Sequence, residues 1–200
     1  MSTVKSKKLQ VGTDASASNN FTIYQPASPD GTLRIGVGNA DSPTEVGRFN
    51  SNGYVATNAP AFSAYQSSGQ SISNATATKI IFDTEEFDTN SNYDNATNYR
   101  FTPTVAGYYQ FTTAARLPVG TGSGESWLTF YKNGSSAKRV MNYQALTNTG
   151  VFMQQGTALI YMNGSTDYVE VYIQHSVGSS QTLWAASMGC YFQGFLARAA

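Results

Sequence analysis

Cysteine and histidine are nearly missing from this chain of 200 residues, and each scarcity excludes a class of site. Cys190 is the only cysteine, so an intrachain disulfide and a cysteine-rich metal centre are excluded. His175 is the only histidine, so a Ser-His-Asp triad or a multi-histidine metal centre would have to be built around it. We expect Cys190 to be a small buried apolar residue and His175 a hydrogen-bonded structural imidazole. Because nucleophile elbows, phosphate loops and metalloprotease motifs are also absent, we expect that the protein is not an enzyme.

Charge is the second scarcity. Charged residues make up 12% of the chain, about half of the usual ~25%. The 12 basic and 12 acidic residues balance to a net charge of zero. A broad basic surface for nucleic acid is therefore excluded, and we expect no nucleic-acid partner.

Long apolar runs are the third scarcity. No stretch approaches the ~18 apolar residues of a membrane-spanning helix, so we expect no membrane partner. The first residues are basic, but the apolar run of a secretory signal peptide does not follow them. We therefore expect a protein that is made without a signal peptide and is kept in a cytosol or released by lysis.

Aromatic residues and strand patterns are abundant, with 13 Tyr and 11 Phe in the chain. From Pro60 onward, apolar and polar residues alternate in runs that are bounded by turn residues. In residues 107–117, Tyr109 and Phe111 fall on one face and Tyr108 on the other, which is typical of an antiparallel strand. No segment shows a sustained helical period, so the sequence predicts an all-β fold.

Several predicted strands are apolar on both faces. In residues 126–132, Trp127 and Tyr131 alternate with Leu128 and Phe130, and the run ends at Asn133-Gly134, a strong hairpin signal. A strand of this kind needs cover on both faces. Either one face meets the core and the other a second subunit, which we favour, or both faces are covered inside a thick monomer.

Five acidic residues lie close together in the sequence, where their oxygen atoms are ligands that calcium prefers. The spacing is not that of an EF-hand, and a solvated loop explains it better. No pair is fixed across a sugar cleft, as a glycosidase would need. We expect no cofactor, with calcium as the alternative, held by a set of weak metal candidates: Asp83, Glu85, Glu86, Asp88 and Asp94.

Residues 1–59 differ from residues 60–200, and we place a domain boundary between them. Their apolar residues come in small clusters about 12 residues apart, each alternating as a short strand does. So few apolar groups cannot form an independent core in a monomer. The segment is therefore disordered, wound around sister chains or docked on a partner.

Residues 60–196 carry a family resemblance in a series of motifs. They include Pro60-Ala-Phe-Ser-Ala-Tyr65, Phe101-Thr-Pro103, Gly107-Tyr-Tyr-Gln-Phe111 and Phe192-Gln-Gly-Phe-Leu196. In order and spacing, this region resembles the globular head of complement component one-q, in the superfamily of tumour necrosis factor. The resemblance implies an antiparallel jelly-roll β-sandwich that forms a homotrimer. Its aromatic residues would then serve the core or the trimer: Phe62, Tyr65, Phe101, Tyr109, Phe111, Trp127, Phe130, Tyr172, Phe192 and Phe195.

The first segment resembles parts of bacteriophage fibre and capsid decoration proteins, in the motifs Asn19-Asn-Phe-Thr-Ile-Tyr-Gln-Pro26 and Pro29-Asp-Gly-Thr-Leu33. The two resemblances together imply a trimeric decoration (cement) protein on the virion surface, whose extended arm binds the major capsid protein. The basic run at the start would pair with acidic groups of the shell or form a solvated tail. The candidate anchoring residues are Lys5, Lys7, Lys8, Leu9, Val11, Phe21 and Ile23.

The alternative function is that of a tail-fibre or spike adhesin. Its head loops would bind a host receptor or surface glycan, because saccharides stack on aromatic rings and hydrogen-bond to amides. The loops to test would be residues 90–98 and 147–152, which contain several Asn and aromatic residues.

Overall fold

A computed structural model of the chain describes residues 7–56, 59–119, 124–143 and 150–200. Lys5, one of the candidate anchoring residues, lies outside these ranges. The chain forms two compact units, Met1–Asn58 and Ala59–Ala200. The helical structure in the described ranges is limited to a short 3-10 turn at Ala17–Asn19, and no helix there is long and apolar enough to cross a membrane.

The first unit contains one antiparallel sheet, here called the N-terminal sheet, whose five strands follow one another in sequence order. The strands are β1 (Lys8–Val11), β2 (Phe21–Tyr24), β3 (Leu33–Val37), β4 (Thr44–Asn50) and β5 (Gly53–Ala56). The buried Asn20 holds the connection before β2, since its side-chain amide donates to Asp14 O at 2.9 Å and to Asn39 Oδ1 at 2.7 Å. The short clusters in this segment are thus strands of a single sheet.

The second unit, here called the head, is a sandwich of antiparallel strands. Its strands are β6 (Ala61–Tyr65), β7 (Ser71–Ile72), β8 (Thr78–Lys79), β9 (Thr84–Asp88), β10 (Tyr93–Asp94), β11 (Arg100–Phe101), β12 (Gly107–Val119), β13 (Ser126–Lys132), β14 (Ser135–Tyr143), β15 (Gly150–Met162), β16 (Val169–His175), β17 (Gln181–Thr182) and β18 (Tyr191–Ala199). The first sheet has the order β15-β12-β18-β6-β9, and the second sheet has the order β10-β11-β16-β13-β14 with β8 beside β16. A small third sheet pairs β17 with β7.

The core of the head lies between its first and second sheets and is rich in aromatic rings. Phe62, Phe111 and Phe192 come from the first sheet, and Phe101 and Phe130 from the second, and all five are at most 1% exposed. Because aromatic rings pack in preferred stacked and edge-to-face geometries, these contacts fix the relative position of the two sheets. The predicted all-β jelly-roll fold is confirmed.

The predicted hairpin at Asn133-Gly134 is also present, between β13 and β14. Both turn residues have positive φ, 52° for Asn133 and 76° for Gly134. Asparagine and glycine tolerate this left-handed conformation best, which explains why the turn forms at this dipeptide.

Candidate self-association surface

The outer face of the first head sheet is a candidate interface, and strand alternation produces it. In β12, Tyr109 and Phe111 point into the core, so Tyr108 and Gln110 point outward. The register places Tyr161 beside Tyr108, and Leu159 beside Gln110. Paired residues of an antiparallel sheet share a face, so these side chains form one continuous surface.

This surface is strongly apolar for a solvent-facing sheet. Leu159 is 54% exposed, Phe195 47% and Phe87 52%. The rings of Tyr108 and Tyr161 meet edge to face with centroids 5.5 Å apart, and both remain more than 40% exposed. Exposed apolar residues in such a cluster, unlike scattered ones, mark a surface that meets another macromolecule.

The centre of the same face carries no charge in the part of the sheet that the structure describes. From the Gln110–Leu159 pair to the Ala114–Gln155 pair, the outward positions of β12, β15 and β18 hold only apolar, hydroxyl and amide side chains. Charged residues lie beyond the two ends of this stretch, where Arg198 pairs with Tyr108 and Arg116 pairs with Met153. The Thr112 and Thr157 hydroxyls are hydrogen-bonded at 3.0 Å. A shallow groove of about 300 Å3 lies between Phe87 and Phe195. An uncharged face can pack on another copy of the same chain without like-charge repulsion.

The outer face of the second head sheet is covered differently, by contacts within the chain. Tyr131 stacks on Tyr172 with ring centroids 4.0 Å apart. The Arg139 guanidinium lies 5.4 Å from the centre of the Trp127 ring, close enough for a cation–π contact. For β13, the aromatic residues on its outward face are therefore partly covered without a second subunit.

The aromatic residues singled out from the sequence divide among three places. Six of them are core residues of the head: Phe62, Phe101, Tyr109, Phe111, Phe130 and Phe192. Tyr65 and Phe195 point outward from the first sheet, and Trp127 and Tyr172 outward from the second. Of these ten residues, only Tyr65 and Phe195 therefore lie on the candidate surface.

Most residues of this surface were not predicted as interface residues from the sequence: Phe87, Tyr108, Val151, Met153, Leu159 and Tyr161. A signal was available in β15, where Leu159 and Tyr161 alternate with Ile160 and Met162. Such a strand is apolar on both faces, as in the pattern noted for residues 126–132.

Four of the five acidic candidates, Asp83, Glu86, Asp88 and Asp94, accept separate local hydrogen bonds. The Asp83 carboxylate accepts from the Ser67 backbone N–H and hydroxyl at 2.7 and 2.6 Å, and Glu86 accepts from Ser63 at 2.7 Å. The Asp88 carboxylate accepts from the backbone N–H of Tyr93 at 2.6 Å. Within the described ranges, no three His, Cys, Asp or Glu side chains are grouped as a metal site requires.

Asp94 and Glu85 show opposite electrostatic effects. Asp94 accepts hydrogen bonds from the backbone N–H groups of Thr97, Ala96 and Asn98, which lower its pKa to about 2. Partial burial, aided by the negative charge of Asp88, raises the pKa of Glu85. Asp94 therefore organises its loop as an anion, and Glu85 resists ionisation.

Cys190 and His175 are both fully buried. The Cys190 thiol lies 3.1 Å from Gln66 Oε1, and burial raises its pKa to about 12. His175 Nε2 lies 3.0 Å from the Ile72 carbonyl oxygen. Both side chains are thus packed within the head and do not reach the solvent.

The comparisons with known proteins cover the head. The family model described as C1q domain matches residues 61–197. No curated protein matches the chain. Among solved structures, murine APRIL at pH 5.0 is 8% identical with a TM-score of 0.52, covering 69% of this chain and 98% of APRIL. The vertex protein P5 of PRD1 is 16% identical with a TM-score of 0.50, covering 70% of this chain and 97% of P5.

The globular domain of zebrafish complement 1qA is 19% identical with a TM-score of 0.46, covering 70% of this chain and 99% of that domain. At these identities the structures share a fold and nothing finer. The family match spans more than half of the chain, in the unit where the jelly roll lies. The chain therefore belongs to the C1q domain family.

Proposed function

We propose that the protein is a homotrimeric structural component of a bacteriophage virion, a capsid decoration protein whose head is displayed on the shell. The observation that carries the self-association is the apolar outer face of the first head sheet, which is uncharged at its centre and leaves Leu159, Phe195 and Phe87 about half exposed. Self-association would remove these apolar side chains from water, and the uncharged centre of the face would enter the interface without the cost of burying an ion there. The head then serves as a rigid display module without a catalytic role.

Two likenesses support placing the trimer on a virion. The motifs near Asn19 and Pro29 resemble segments of phage fibre and decoration proteins. The vertex protein P5 of PRD1 has the same fold as the head. A location on the virion surface follows from this proposal.

The N-terminal unit is the proposed attachment to the major capsid protein. Lys7 and Lys8 are exposed there and can approach acidic groups of a shell. A trimer fits the local threefold positions of an icosahedral lattice. Three weak attachments on one trimer raise its overall affinity for the shell far above that of one attachment. Because the trimer would bind the assembled shell and not its separate subunits, binding would stabilise the shell.

Two measurements test this proposal. Native mass spectrometry of the purified full-length chain should give the mass of three chains, and a stable monomer would contradict self-association. Gold labelling of intact particles should then place the protein on the capsid. Label on the tail instead would support the adhesin alternative.

A second function, binding of a host surface glycan as an adhesin, is favoured by one surface. Trp127, Tyr131 and Tyr172 line a strip on the second head sheet beside the amide of Gln174. Aromatic faces next to amides suit saccharides. On a glycan array, wild-type binding that is lost in Trp127→Ala would support an adhesin, whereas an absence of binding would count against it. Residues 147–149 of the candidate loop 147–152 lie outside the described residues.

A further inference from the structure

The strand register of the N-terminal sheet sorts its residues by polarity. Leu9 pairs with Ile23, and Val11 with Phe21, so all four share a face. The same register continues through the next strands and adds apolar residues to that face: Leu33, Ile35, Val37 and Phe49. We call this the N-terminal apolar face.

The opposite face of the sheet carries the ionic groups. Arg34 pairs with Glu45 at 3.0 Å and with Asp30 at 2.5 Å, and Arg48 pairs with Glu45 at 2.7 Å. Lys8 pairs in register with Tyr24, which in turn pairs with Arg34, so Lys8 belongs to this charged face. The charged face of the sheet is therefore suited to contact with water, and the N-terminal apolar face is suited to burial.

The N-terminal apolar face stays largely exposed in the single chain. Leu9 is 59% exposed, Val11 58%, Phe21 49% and Leu33 49%. If each half-exposed side chain of this size offers roughly 90 Å2, the face presents on the order of 500 Å2 of apolar surface. A single sheet with one bare apolar face is unstable in water, so this face needs a second layer.

We propose that the second layer is the same face of two sister copies, so that three N-terminal sheets enclose a common apolar core. This inference rests on the proposed homotrimer, which would keep three such faces at a high effective concentration. The paired positions of the face bear no ionic side chain, and Lys7 lies only at its edge, beside Leu9 and Ile23. Identical copies can therefore meet at the centre of the face without charge repulsion. Three faces together would bury roughly 1,600 Å2 of apolar surface in one shared core, about 500 Å2 from each copy.

This arrangement divides the candidate anchoring residues into two groups. Leu9, Val11, Phe21 and Ile23 contact sister copies. Lys7 lies at the edge of the apolar face and Lys8 on the charged face, so neither side chain is enclosed in the proposed common core. Capsid binding is then carried by polar contacts from the outside of a three-sheet assembly.

The matched pair Val11 and Val55 allows a direct test. Both are exposed valines of the N-terminal sheet, 58% and 43%, but Val55 pairs with Arg48 and so lies on the charged face. The full-length variants Val11→Cys and Val55→Cys should be oxidised without capsids present and analysed on non-reducing gels. Cys190 is buried and does not compete. We expect at least a tenfold excess of linked chain pairs for Val11→Cys, with Phe21→Cys as a second position on the same face.

Hydrogen exchange of the wild-type protein gives a second measurement that needs no variant. Backbone amides of β2 and β3 should be protected in the purified trimer. Equal cross-linking at both positions in a protein of trimeric mass would overturn this inference and leave the proposed trimer standing. Protection that arises only on capsids would also overturn it, in favour of the capsid protein as the second layer. A monomeric mass would overturn the proposed function itself and this inference with it.

Discussion

Phe62 and Phe101 stack with ring centroids 4.4 Å apart and planes inclined by 15°, although they belong to opposite sheets of the head. Phe192 meets the same Phe62 ring edge-on, at 4.8 Å. Gly194 leaves room for these rings, because a Cβ there would lie 2.6 Å from Phe111 Cδ1. The two sheets are thus joined through one continuous set of aromatic contacts.

Removal of the Phe101 ring should therefore destabilise the head strongly. We expect Phe101→Ala to lower the free energy of unfolding by about 3–5 kcal/mol, because it leaves a cavity between the sheets. Urea unfolding at a fixed protein concentration measures the loss. Phe101→Leu, which keeps most of the volume, should lose clearly less, and equal losses would show that packing against Phe62 is unimportant.

A charge on the candidate self-association surface should dissociate the assembly. Leu159→Glu places a carboxylate on an uncharged apolar face, where burial without a partner is costly. We expect a monomeric mass by sedimentation, with the head still folded by circular dichroism. Ser136→Glu, at an exposed position on the second sheet, is the matched control and should stay associated. Dissociation of both variants, or of neither, would contradict the assignment of this face.

The loop after β10 should contribute an acid-sensitive part of the stability. The pKa of Asp94 is lowered from 3.8 to about 2, so its anion stabilises the fold above about pH 4. That contribution is lost as the pH falls through this window toward 2. Asp94→Asn should therefore flatten the dependence of stability on pH between about 4 and 2.

Glu85→Gln is the informative contrast for this experiment. The raised pKa of Glu85 means that its ionisation opposes folding as the pH rises above its ordinary value of 4.5. Its replacement should raise stability at neutral pH and leave the acid window of Asp94 in place. Chemical unfolding across a pH series gives the free energy of unfolding of both variants as a function of pH. The same pH dependence in Asp94→Asn and Glu85→Gln would refute the loop geometry.

The Cys190 thiol should be inert until the head unfolds. Burial raises its pKa to about 12, so at pH 8 the thiolate fraction is roughly a thousandfold below that of a free thiol. A disulfide reagent should react slowly with the native protein and within seconds in denaturant. Rapid reaction of the folded protein would mean that the site beside Gln66 opens to solvent.

Local chemistry in the sequence was enough to predict the all-β class, several strands of the head and the hairpin at Asn133-Gly134. The alternation around Tyr109 and Phe111 predicted which side chains of β12 enter the core. The Asn133-Gly134 dipeptide predicted a hairpin, because few other residues tolerate its backbone conformation. These signals act between residues that are near in sequence, so no knowledge of distant strands was needed.

The candidate surface could not be predicted in the same way, because it depends on which strands become neighbours. Leu159 lies beside Gln110 only through the pairing of β15 with β12. The two-sided pattern of β13 led us to expect a second subunit over Trp127, but Arg139 of the adjacent β14 lies over its ring. Likewise, the single apolar face of the N-terminal sheet emerges from the register of several strands.

The bare outer face around Leu159 also bears on how the protein is made. A newly synthesised chain would expose this apolar surface to water until it meets sister chains. Association, whose rate depends on concentration, would therefore compete with aggregation. Dilution should slow productive folding, and the melting temperature should rise with protein concentration. Yield of soluble protein would then depend on how fast chains find each other, and co-expression at high local concentration would favour it.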